Sequence, residues 1–233
     1  MTTRLVKHQK LTKRQMKEDP LVTAAFRGTQ IWEDHGTKIL IALGGVVLLV
    51  LLAFFFMRTR AQSEERASSE LFRAEMSVEQ NDFATAVQML KELVDSSPGT
   101  RAARKAMLYL GDAYTGQKKF VDAAGWYRRA LSKAGNDMDI KLAGLNGLAA
   151  ALEDRGDFIA AASSYEDLAK LGANDDQRGR AMMAQARCLA KAGQAPKAIE
   201  VYKAVQKLPV VDLAILNAAG VAIGELTASS PNP

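Results

Sequence analysis

Residues 106–130 read AMLYLGDAYTGQKKFVDAAGWYRRA. Two apolar faces lie in this stretch. The first carries Leu110-Gly111 and Tyr114, and the second carries Phe120, Ala123, Tyr127 and Ala130 at helical steps. The polar run Gln117-Lys118-Lys119 separates them. Small residues at Gly111 and Ala123 let two helices approach closely, because interaxial distance follows the size of the side chains at the contact. The stretch predicts a helical hairpin with a tight turn.

The same unit recurs on both sides of it. Phe83-x-x-Ala86, Phe120-x-x-Ala123, Phe158-x-x-Ala161 and Ala195-x-x-Ala198 place their second alanines 37, 38 and 37 residues apart. Ala74, Gly111, Ala149 and Ala186 repeat upstream at the same intervals. A constant period in this range marks a solenoid, since one helix pair cannot bury its apolar face alone and must stack on its neighbours.

The repeated residues resemble the tetratricopeptide signature. The second repeat carries Leu110-Gly111, Tyr114, Phe120, Ala123, Tyr127 and Ala130. The third carries Leu148-Ala149, Leu152, Phe158, Ala161 and Tyr165; the first carries Ala74, Phe83, Ala86, Leu90 and a closing Pro98. The fourth carries Ala186, Leu189, Ala198 and Tyr202 but departs most, with Ala195 in the aromatic position followed by Pro196. The family period is about 34 residues. The extra residues are expected around Ala134–Met138, Gly172–Asp176 and Leu208–Val211. Four repeats then fill residues 58–210. A capping helix over Val211–Leu226 and a frayed tail over Ser229–Pro233 complete the segment 211–233.

Upstream of the repeats, Ile39–Met57 reads ILIALGGVVLLVLLAFFFM, without a charge. As a helix it is about 28 Å long, which matches the hydrocarbon thickness of a bilayer. Its Leu, Ile, Val and Phe residues favour insertion by about 4–8 kcal/mol as an upper bound. The run starts late and ends in Phe54-Phe55-Phe56-Met57-Arg58, with no small-residue cleavage site. An uncleaved signal anchor is expected rather than a signal peptide. The fold class expected is therefore all-α, a single N-terminal transmembrane helix followed by a tetratricopeptide-like helical-repeat solenoid.

The net charge of +5 is unevenly spread over the 233 residues. Residues 1–38 carry a net of +4 and the remainder +1. Arg4, Lys7, Lys10, Lys13, Arg14, Lys17, Arg27 and Lys38 precede the apolar run, against Arg58, Arg60, Arg66 and Arg73 just after it. The positive-inside rule puts the N-terminus in the cytoplasm and, in a bacterium, the repeats in the periplasm at the inner membrane. Arg58 and Arg60 oppose this orientation. With no basic surplus on the repeats, no nucleic-acid partner is expected.

The tail over 1–38 divides further. Residues 1–18 are polar and basic. Asp19-Pro20 is a helix-start signal. Leu21, Val22, Ala25, Phe26 and Trp32 form a loose stripe that His35-Gly36 ends, so 20–34 reads as a short amphipathic helix at the membrane interface or as a linker whose charges set topology. Lys7, Lys10, Lys13, Arg14 and Lys17 could contact anionic lipid or an acidic partner.

Catalytic and cofactor chemistry finds no candidate. The two histidines, His8 and His35, precede the apolar run, Cys188 is a single cysteine, and no glycine-rich phosphate loop occurs. What remains is a protein-binding surface. The first helix of each pair lines the groove of such a solenoid, which nominates Leu71, Glu75, Leu108, Asp112, Asn146, Glu153, Met183 and Arg187. Leu71, Leu108, Asn146 and Met183 stand where a chaperone-type carboxylate clamp of the family would hold its key polar residue, so a clamp is not expected. An extended peptide or a partner helix fits this groove. The chain's own terminal helix is the other candidate occupant.

The layout of basic tail, anchor and repeat array resembles the bacterial family of ancillary subunits of the SecYEG translocon. That resemblance implies a non-catalytic scaffold, without cofactor or metal, that contacts the translocon and periplasmic chaperones or exported clients. Periplasmic scaffolds for envelope assembly, cell division or cytochrome biogenesis share the layout, as does a cytoplasmic docking platform.

Overall fold

The computed structural model describes the backbone over residues 20–229 and side chains over residues 36–38 and 40–228. The basic tail 1–18, the cap Asp19, the side chains of the stripe from Leu21 to Trp32, the side chain of Ser229 and the end 230–233 lie outside this description. Every described element is an α-helix: α1 (Pro20–Glu79), α2 (Phe83–Ser96), α3 (Arg101–Gly116), α4 (Phe120–Lys133), α5 (Met138–Arg155), α6 (Phe158–Leu171), α7 (Asp175–Lys191), α8 (Ala195–Val205) and α9 (Leu213–Ser229). The chain divides into two units, Met1–Thr59 and Arg60–Pro233.

In the first unit the described backbone is helical without interruption. The break expected at His35-Gly36 is absent, because α1 runs through it. One glycine costs a helix interior only about 1 kcal/mol, and after Pro20 no proline occurs before Pro98. The side chains of Leu40–Met57 are all exposed, among them Leu49, Phe55 and Met57 at about two-thirds or more of their full area. This is a helix long and apolar enough to cross a membrane.

The second unit is an all-α solenoid of helix pairs. The last part of α1 pairs in sequence with α2, then α3 with α4, α5 with α6, and α7 with α8. Each pair turns on the same device. Asn81, Lys118, Gly156 and Gly193 adopt left-handed φ values of 61°, 58°, 89° and 75°. The next amide closes back on the helix end: Asp82 N to Ser77 O, Lys119 N to Tyr114 O, Asp157 N to Leu152 O and Gln194 N to Leu189 O, at 2.8–2.9 Å. This six-to-one bond satisfies a carbonyl the helix leaves open. The first helices start on side-chain caps. Thr100 accepts from Ala103 N, Asp137 from Ile140 N and Asn174 from Gln177 N. The connections between pairs fall at 97–100, 134–137, 172–174 and 206–212; the last covers the stretch where extra residues were expected, and the two before it overlap theirs, with Met138, Asp175 and Asp176 already in helices.

Packing follows the small residues. Ala74, Ala149 and Ala186 are fully buried, as are Ala86, Ala123, Ala161 and Ala198. Leu90, Leu93, Leu110, Ile140, Leu152 and Val205 are the large side chains closed to solvent. Each stabilises the fold by about 1.5–3 kcal/mol. Tyr127 decides the fit of three helices at once. Its ring lies over Gly111 of α3 and Gly147 of α5, and a Cβ built on Gly111 would meet ring carbon Cε1 at 2.5 Å. Neither position can carry a side chain unless the ring moves.

Candidate protein-interaction groove

A shaped cavity lies between α5 and α7. Leu142, Ala143 and Asn146 of α5 form one wall, and Gln177, Arg180, Ala181 and Ala184 of α7 the other. Tyr165 and Leu168 of α6 and Gly172 of the following turn complete a cavity of about 420 Å³. The walls meet because α5 and α7 are first helices of successive pairs, with α6 packed against both. The lining is apolar, rimmed by Asn146, Gln177 and Arg180. Arg180 is held over the rim by Asp176 at 2.8 Å, and this pairing raises its pKa. Such a cavity takes an apolar side chain, with an amide, an amide-bearing glutamine and a guanidinium placed to hold the main chain or an acidic group beside it.

The structure distributes the eight nominated residues over three roles. Leu71 was expected in the groove, yet it is 7% exposed and belongs to the core formed with Ala74, Leu90 and Leu110. It faces α2 and α3 because the apolar stripe of α1 beyond Arg60 runs through Ala67, Leu71 and Ala74. Leu108 and Met183 are half-buried and pack against hydrophobic clusters of the solenoid. Asn146 lies exposed on the cavity wall. The other four make polar contacts.

Glu75 accepts a hydrogen bond from the Tyr109 hydroxyl of α3, and burial pushes the tyrosine pKa well up. Asp112 accepts from the Tyr127 hydroxyl at 2.6 Å. Desolvation raises the pKa of Asp112, and the tyrosine bond opposes that shift. Glu153 accepts from Arg187 Nη2 at 2.9 Å and from Lys191 Nζ at 2.8 Å. The Arg187 bond leads in holding the Glu153 carboxyl down at about 2, against desolvation and with help from Lys191. This pair ties α5 to α7 beside the cavity. Beneath it the Tyr165 hydroxyl is pushed up to about 12 by burial, and Cys188 to about 11 for the same reason.

Sequence reading missed most of the cavity wall. Leu142 stands one turn before Asn146 and Ala143 beside it, so extending the stripe of α5 backwards would have found them. Arg180 and Ala184 have the same relation to Met183 and Arg187 on α7. Tyr165 and Leu168 belong to a second helix, and only the gap between α5 and α7 exposes them. Among the described residues no three His, Cys, Asp or Glu side chains converge as a metal site would require.

Comparisons with known proteins agree with this architecture. The nearly identical tetratricopeptide-like repeats of a kinesin light chain from Podosopora anserina superpose with a TM-score of 0.56 at 17% identity, over 71% of this chain and 87% of that one. The MamA RS-1 ArsTM double mutant superposes with a TM-score of 0.52 at 14% identity, over 70% and 95% of the two chains. These likenesses are of fold. No curated protein matches the sequence. The tetratricopeptide repeat pattern matches residues 77–138 and 146–209, together more than half of the chain. With the recurring turns, the buried small residues and the stacked pairs, this match makes the chain a member of the tetratricopeptide repeat family, whose fold serves as a scaffold for protein–protein interaction.

Proposed function

We propose that the chain is a single-pass, membrane-anchored interaction scaffold of the bacterial inner membrane. Its N-terminus is cytoplasmic and its repeats are periplasmic. The observation that carries the reading is the run Leu40–Met57, every side chain of which is exposed. In water this surface would be unsupported, and in a bilayer it is the favoured state. The surplus of Lys and Arg before the run supports the orientation. The cavity between α5 and α7, with its apolar wall and polar rim, supports a partner that inserts a side chain of an extended peptide or helix. By its layout, that partner belongs to the export machinery: the SecYEG translocon, periplasmic folding factors or exported clients.

Two measurements test this. Alkaline phosphatase fused after Pro233 should be active, whereas a fluorescent signal from a cytoplasm-only reporter at the same place would overturn the topology. A photo-crosslinker replacing Phe55 should capture translocon subunits. Crosslinks to envelope-assembly, division or cytochrome-biogenesis proteins alone would give the scaffold to those systems instead.

A further inference from the structure

The small-residue position of the first helices continues past the fourth pair. Ala74, Gly111, Ala149 and Ala186 are followed at the same interval by Gly224 of α9. The equivalence holds along the helix: Ala219 is buried as Gly144 is, while Ile215 and Ile223 pack inward where α5 carries Ile140 and Leu148. So α9 is built as the first helix of a fifth pair. It packs against α8 and α7.

The covering differs on the other side. Helix α3 lies between α2 and α4, α5 between α4 and α6, and α7 between α6 and α8. Among the described residues no second helix covers the outer side of α9. Ala149 and Ala186 are fully buried, whereas Gly224 is exposed with no heavy atom within 4 Å of the place its Cβ would occupy. Along the exposed side of α9 Leu213 and Val221 are 68% and 62% exposed, and Ala228 is open as well. The outer face of a true end cap is polar. This one is mostly apolar, with Asn217 and Thr227 as its polar members and Glu225 as its charged one.

The internal repeats show what such a face receives. Each second helix arriving on α3, α5 and α7 carries an alanine with a tyrosine four residues later: Ala123 and Tyr127, Ala161 and Tyr165, Ala198 and Tyr202. On α3 the Tyr127 ring seats over Gly111 and its hydroxyl donates to the adjoining Asp112. Gly224-Glu225 repeats that glycine–acid pair. We infer that the open face of α9 is an acceptor for an amphipathic helix of a partner protein bearing Ala-x-x-x-Tyr, antiparallel to α9, with the tyrosine ring over Gly224 and its hydroxyl on Glu225. This completes the fifth pair in trans. It stands apart from the α5–α7 cavity and does not depend on the membrane topology.

The probe is a peptide of residues 119–134, the helix that seats on Gly111-Asp112. It is held helical by a staple replacing the exposed Arg128 and Ser132. Fluorescence anisotropy against the full chain in detergent micelles should show saturable binding. Gly224→Leu fills the seat and should weaken it more than about tenfold. Val221→Arg, placed on the same face and away from the core, should do likewise. Phe in place of Tyr127 in the peptide should weaken binding about three- to tenfold on the parent chain, through loss of the hydroxyl bond. Absence of saturable binding, or equal binding to the Gly224→Leu and Val221→Arg chains, overturns the inference. So does light scattering that finds the parent chain dimeric and the Gly224→Leu chain monomeric, which would assign the face to a second copy.

Discussion

Gly111 in α3 and Gly224 in α9 occupy the same place in the repeat and meet opposite surroundings. Gly111 lies under the Tyr127 ring, and the same ring presses on Gly147 from the other side. Gly224 faces open space. In the first case the missing Cβ is a packing requirement within the chain; in the second nothing in the chain itself requires it, and within the chain it weakens a helix. A small residue in a repeat permits close approach, and the arriving helix makes it necessary.

This contrast can be broken at the ring. Tyr127→Ala should lower the stability of the repeat unit by about 3–5 kcal/mol, the range for losing a large buried aromatic. Denaturant unfolding of the chain in detergent, followed by circular dichroism, measures it. A loss under 1 kcal/mol would mean that α3, α4 and α5 do not share that ring.

The glycines themselves give the sharpest pair. Gly111→Ala should cost about 1–3 kcal/mol, because the ring cannot retreat toward Gly147. Gly224→Ala should instead raise stability by about 0.5–1 kcal/mol through helix propensity alone. Equal effects at the two sites, read from the same unfolding curves, would erase the distinction between a covered and an open face.

Glu153 ties α5 to α7, a link between successive pairs that Gly224-Glu225 lacks. Its folded pKa of about 2 lies below the unfolded value near 4.5. A depressed carboxylate contributes stability that is fully present above the unfolded pKa and is lost as pH falls through the folded one. Its partners Arg187 and Lys191 are about half exposed, so the contribution is discounted to about 1–2 kcal/mol. The loss should fall between about pH 5 and pH 2, and Glu153→Gln should remove that part of the acid sensitivity. An unchanged pH profile in the variant would show that the bridge contributes nothing.

The smallest effect lies in the turns. Lys118 holds a left-handed φ where the third and fourth pairs use Gly156 and Gly193. Lys118→Gly should stabilise the chain by about 1 kcal/mol, while Gly156→Lys should destabilise it by a similar amount. Thermal melting of the two variants in opposite directions is the check.

Much of this fold is legible in the sequence, because its rules are local. The period of Ala86, Ala123, Ala161 and Ala198 sets the pairs. Caps such as Thr100 and Asp137 mark helix starts. The extra residues between pairs fall where the stretched period requires them. The groove was legible only in part. Asn146 reached the cavity and Glu153 met Arg187 across α5 and α7, but Leu71 went to the core. A stripe along one helix does not say which of its two neighbours buries it. Tyr165 and Leu168 could not be found from a rule about first helices, since they are reached through a gap.

The sequence by itself determined the helix pairs, their number, their turns and the apolar run Ile39–Met57, all of which follow from spacing and side-chain chemistry within a few turns of chain. The tertiary structure alone decided which small residues are covered, that Tyr127 is wedged between two glycines, that a cavity opens between α5 and α7, and that α9 presents a bare, mostly apolar face. These depend on which helix arrives from a distance in sequence. Residues as alike as Gly111 and Gly224 carry no record of whether one does.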